Sequence, residues 1–114
     1  MREYLFLFRG GHQELEHQSP EQAQLHMQKW VQWMGDLQEK GCLLNAQPLD
    51  HSGRKITGSK KIVTDGAFME GKEMVGGYLM CKAKHYDSAM EMAMSCPLLD
   101  FESGIVEIRE IKEM

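Results

Sequence analysis

From Ser19 to Gly41 the apolar residues recur with the period of a helix. Ala23, Met27, Trp30, Val31, Met34 and Leu37 share one stripe at about 100° per residue, and Gln28, Gln32, Gly35, Asp36 and Glu39 fall opposite. Ser19 as N-cap, Pro20 at the first helical position and Gln22 three residues after Ser19 make an S-x-x-Q capping box. At the other end Lys40 suits the negative pole, and Gly41 can take the left-handed conformation that stops a helix. The stripe is expected to face a core. A narrower stripe, Ala89, Met92, Ala93 and Cys96, predicts a second helix over 86–95 that Pro97 ends.

The strands read differently. EYLFLF at 3–8 has Tyr4, Phe6 and Phe8 on one face and Leu5 and Leu7 on the other, so both faces need cover. Arg9-Gly10-Gly11 ends it, and 12–18 reads as a polar loop. A short strand at 42–46 follows the long helix. Residues 47–64 read as an excursion carrying a β-hairpin on the sheet edge, where Lys60 and Lys61 would discourage edge-to-edge pairing. Residues 64–68, TDGAF, read as a tight turn that sets an acidic side chain before an aromatic anchor. MVGGYLMCK at 74–82 is again apolar on both faces and belongs mid-sheet, its Gly76-Gly77 pair marking a bulge or a close approach. A closing strand spans 104–111.

This order, β-α-β-β-α-β with an extra hairpin, predicts a single α+β domain over 1–114: a ferredoxin-like plait with two helices on one face of an antiparallel sheet. Helices cover only one face of such a sheet. The apolar second face therefore predicts a homodimer packed sheet to sheet, forming a dimeric α/β barrel.

Charge and composition narrow the partners. Thirteen basic against seventeen acidic side chains, a net charge of -4, with no basic run, argue against nucleic acid. The five apolar residues after Met1-Arg2-Glu3 are too few for a signal sequence or a bilayer span, so a cytoplasmic chain without membrane contact is expected. Cys42, Cys81 and Cys96 are odd in number and widely spaced, which fits buried free thiols better than a disulfide framework or a zinc site. His12 and His17, five apart in a loop, give no converging ligand set, so neither a metal nor a cofactor is expected. The ten methionines suit adaptable core filling, or a Met-lined ligand surface.

One titratable residue stands out. His26 lies about 60° from the middle of the long helix's stripe, beside Trp30 and Trp33, where a group is both shielded and reachable. Neutral near pH 7, it could serve as a general base. The alternative is a border histidine bonded to a backbone carbonyl. Arg9, ending the first strand, could bind an anionic substrate group, and Tyr78, beside the glycine pair, could donate a hydrogen bond. The alternatives for these two are a surface charge and a packed ring.

The chain resembles the YCII-related family, also called DGPF-domain proteins, along nearly its whole length. The match rests on EYLFLFRGG at the start, HMQKWVQWMGDL in the first helix, TDGAF at 64–68, GKEMVGGY at 71–78 and the CP pair at 96–97. The resemblance implies a dimeric barrel of ferredoxin-like protomers. It also implies a small-molecule site built on a helix histidine, His26, and a partner aspartate, assigned to Asp65 by the DGPF motif. Arg9, Tyr78 and Trp33 are the residues expected to bind substrate there. Ala67 stands where that motif usually has proline, which loosens the turn holding Asp65. The implied activity is a cofactor-independent lyase or isomerase. The other reading is a non-catalytic ligand-binding or regulatory module, for example one associated with a sigma factor.

Overall fold

The computed structural model describes residues 1–65 and 74–114. In chain order the elements are β1 (Arg2–Arg9), α1 (His12–Glu16), α2 (Pro20–Glu39), β2 (Leu43–Pro48), β3 (Arg54–Thr57), β4 (Ile62–Asp65), β5 (Val75–Ala83), α3 (Tyr86–Met94), a 3-10 turn (Pro97–Asp100) and β6 (Ile105–Glu110). Four strands form one antiparallel sheet in the order β2-β5-β1-β6, with the two doubly apolar strands in the middle. This is the ferredoxin-like α+β plait.

The long helix starts as its sequence dictates. Ser19 Oγ accepts from the Gln22 amide at 3.1 Å, the Gln22 side chain accepts from the Ser19 amide at 2.9 Å, and Gly41 ends the helix at φ 73°. Its buried face is another matter. Met27 and Val31 are 63% and 62% exposed, whereas His26, Trp33 and Leu37 are buried. The inward stripe is rotated by about 60° from the one that apolar periodicity marks, because the large Trp33 ring packs over Phe6 and Phe8 with ring centroids 6.5 and 6.2 Å away. Two indoles bury more surface against the sheet than Met27 and Val31 would, and they turn the helix accordingly.

Three further expectations change. The polar stretch after Gly11 is a short helix: Gly10 and Gly11 both take positive φ, and the Leu15 amide donates to the Gly11 carbonyl at 3.0 Å. The hairpin exists, but β3 and β4 form their own two-stranded sheet instead of extending the edge of the main one. Thr64 and Asp65 of the expected TDGAF turn belong to β4, and 66–68 lie outside the described residues. The Gly76-Gly77 expectation is met, since a Cβ on Gly77 would sit 3.0 Å from the Gln47 carbonyl oxygen and the β1–β5 register shifts between Phe8 and Arg9.

The core lies between the helices and one face of the sheet, where Tyr4, Phe6, Leu79, Cys81 and Ala89 are fully shielded. On the opposite face Leu5, Leu7, Tyr78 and Met80 project, only partly covered by one another. The protein measures 45 × 45 × 20 Å, and 20 Å is the depth of one helix layer on one sheet. Cys81 and Cys96 are buried free thiols, their pKa values pushed up by burial to about 11 and about 12, and Cys42 is half-buried. No described helix is long and apolar enough to cross a membrane.

Candidate functional site

A broad groove of about 1040 Å³ runs along α2 where it meets α1 and the turn after α3. Its apolar lining is Leu25, Trp33, Pro97 and Phe101, and its polar lining is mainly glutamines and charged groups. The volume is at the top of the range for small-molecule sites. Part of that polar lining is Glu14 of α1, whose carboxylate accepts from the Ser103 hydroxyl at 2.7 Å and the Ser103 amide at 3.1 Å. Those bonds hold the Glu14 carboxyl below its ordinary range.

His26 lines this groove. It is 9% exposed, with its ring 4.6 Å from Phe101. Trp30, one turn further along α2, donates its indole Nε1–H to His26 Nε2 at 2.9 Å. An indole nitrogen can only donate, so Nε2 must be the unprotonated nitrogen and the proton sits on Nδ1. Burial pushes the pKa of His26 below the usual histidine value; Asp100 opposes that effect and Lys29 reinforces it. The residue is therefore a neutral imidazole whose lone pair is already engaged. Its Nδ1 is neither bonded to a described residue nor sealed from solvent. What His26 offers a ligand is an N–H donor. This differs from the sequence expectation in two respects: the ring is bonded to an indole in place of a backbone carbonyl, and its basic nitrogen is not free.

Trp33 also lines the groove, its Nε1 donating to the Met92 carbonyl at 3.0 Å, so it serves as wall and as tie between α2 and α3. Arg9 and Tyr78 are elsewhere. Both project from the open face of the sheet: Arg9 Nε reaches Glu107 Oε1 at 3.0 Å, and the Tyr78 hydroxyl accepts from Asn45 Nδ2 at 3.2 Å. Of the five residues singled out from sequence, the structure brings only His26 and Trp33 into one cavity.

The model of the YCII-related domain matches residues 3–114, essentially the full chain. The chain belongs to the YCII-related family. No curated protein matches it. For a YCII-related chain the expected histidine–aspartate pairing meets a correction here. Asp65 is on the exposed β4 strand, its side chain 87% exposed and 3.6 Å from Arg54, and it is absent from the described lining of the His26 groove. It ends a strand of the separate β3–β4 ribbon, every residue of which is exposed, whereas the expectation relied on a turn. The carboxylate whose charge His26 senses is Asp100, which ends the 3-10 turn, lines the same groove and holds Lys29 Nζ at 3.0 Å. Sequence reasoning missed Asp100 because it is 74 positions from His26 and adjoins no motif. The one available signal was its place three residues after the CP pair that follows α3. Among the described residues no group of three or more metal-ligating side chains converges.

Proposed function

We propose that this YCII-related protein is a small-molecule enzyme of the cofactor-independent lyase or isomerase type, with its site in the His26 groove and its two protomers packed through the open sheet faces. The observation that carries this reading is His26 itself, a groove-lining imidazole whose Nε2 accepts from Trp30, so that the ring proton is carried by Nδ1. Such a donor stabilises negative charge growing on a carbonyl oxygen while a proton leaves the neighbouring carbon. In this reading Asp100, which lines the same groove, receives that proton. His26 thus serves as the electrophilic donor rather than the base. Trp33 and Phe101 supply apolar lining for a flat or hydrocarbon portion of the substrate.

The test is solvent-proton exchange. Small carbonyl acids and lactones are incubated with the protein in D2O and followed by NMR; wild type incorporates deuterium next to the carbonyl, and His26→Ala and Asp100→Asn do not. One observation favours the second reading, a ligand-binding module without turnover: the Asp100 carboxylate is paired with Lys29 Nζ at 3.0 Å. Saturable binding with no exchange on any compound would select that reading.

A further inference from the structure

The β3–β4 ribbon is the part of the chain least accounted for by its own fold. Every residue of both strands is exposed, including Ile56, Ile62 and Val63 at 70%, 56% and 60%. Ile56 faces Val63 across the ladder, so two apolar side chains make a pair with water on both sides. At the root Arg54 and Asp65 are 3.6 Å apart with side chains 80% and 87% exposed. A two-stranded ribbon with nothing beneath it is marginal in water. Its β-branched residues are ones that suit a half-covered surface.

Its charge points to what covers it. Residues 54–65 carry four basic side chains, Arg54, Lys55, Lys60 and Lys61, against one acidic, Asp65, for +3; the remaining nine basic and sixteen acidic side chains give -7, and together they make the chain's -4. The ribbon is thus a basic, apolar-centred arm on an acidic body. Among the described residues its strands pair only with each other.

We propose that this ribbon is an arm that closes on the acidic body of a second copy of the chain, clamping the dimer. The inference rests on the sheet-to-sheet dimer proposed above, which brings the second body within reach; the arm adds apolar contact through Ile56 and Val63 and attraction through Lys60 and Lys61.

Sedimentation equilibrium and limited trypsin digestion of the full chain test it. Lys60→Glu with Lys61→Glu, at an exposed tip where folding is not at stake, is expected to raise the dimer dissociation constant at least tenfold and to weaken its dependence on salt. Ile56→Ser with Val63→Ser is expected to raise it at least tenfold with the salt dependence kept. Trypsin should cut at Lys60 and Lys61 at least tenfold more slowly at dimeric than at monomeric concentrations. A dimer whose dissociation constant is unmoved by both double variants, and whose arm is cut equally fast at both concentrations, overturns the clamp while leaving the sheet-face dimer standing. A wild-type chain that stays monomeric throughout overturns both.

Discussion

The two faces of the central sheet are made by the same two strands from nearly equivalent stock, yet only one is finished. Toward α2 and α3, Tyr4, Phe6 and Leu79 are sealed. Away from the helices, Leu5, Leu7 and Met80 have only their neighbours for cover. Apolar alternation on a strand states a need for cover but is silent on who supplies it. One protomer has helices for a single face, and the face they leave open is the one through which we propose that the dimer packs.

The contrast breaks most visibly in the core. Phe6→Ala should cost about 3–5 kcal/mol of monomer stability in chemical denaturation, the usual cost of emptying a buried aromatic site, whereas Leu7→Ala next to it should cost far less in dilute solution. Equal losses would mean the faces are alike in energy. Leu7→Asp is expected to weaken the dimer by about 100-fold, or roughly 2.7 kcal/mol, with little change in monomer stability; sedimentation showing an intact dimer would place the interface elsewhere.

His26 lies on the finished side, and its removal should be felt as structure as well as function. His26→Ala leaves the Trp30 indole N–H without its partner and should cost about 1–3 kcal/mol. Because burial holds the folded-state pKa below the ordinary value of 6.5, the unfolded chain takes up the proton first. The contribution is therefore complete above about pH 6.5 and is lost as pH falls from there to the folded value, below which the slope ends. Denaturation midpoints across that window should show this slope in wild type and lack it in His26→Gln. The smallest effect is electrostatic. Lys29→Gln should raise the His26 pKa and Asp100→Asn lower it further, seen by NMR titration, while the exposed pair they break is worth under about 1 kcal/mol. Shifts of the opposite sign would detach Asp100 from the site.

Much of the fold was legible along the chain. The capping box, the glycine stop at Gly41, the two doubly apolar strands and the Gly76-Gly77 approach are local in origin, dictated by backbone conformation and short-range pattern, and they appear where the residues put them. The rotation of α2 was not legible. Periodicity weighs Met27 and Val31 like any apolar residue, and only the sheet opposite reveals that two indoles fill the space better. For the same reason the sequence marked His26 as a border residue but could not tell that Trp30 occupies its lone pair.

By itself, then, the sequence determined the order of the four main strands and the two longer helices, the caps of α2 and the existence of a sheet face that one chain leaves open, because these follow from φ preferences, caps and alternation within a few residues. Only the tertiary structure decided which face α2 turns inward, that Arg9 and Tyr78 part company with His26 across the sheet, and that Asp100 and not Asp65 shares its groove. Those outcomes depend on packing between residues far apart along the chain, where the shape of the opposing surface selects among arrangements that local pattern leaves equal.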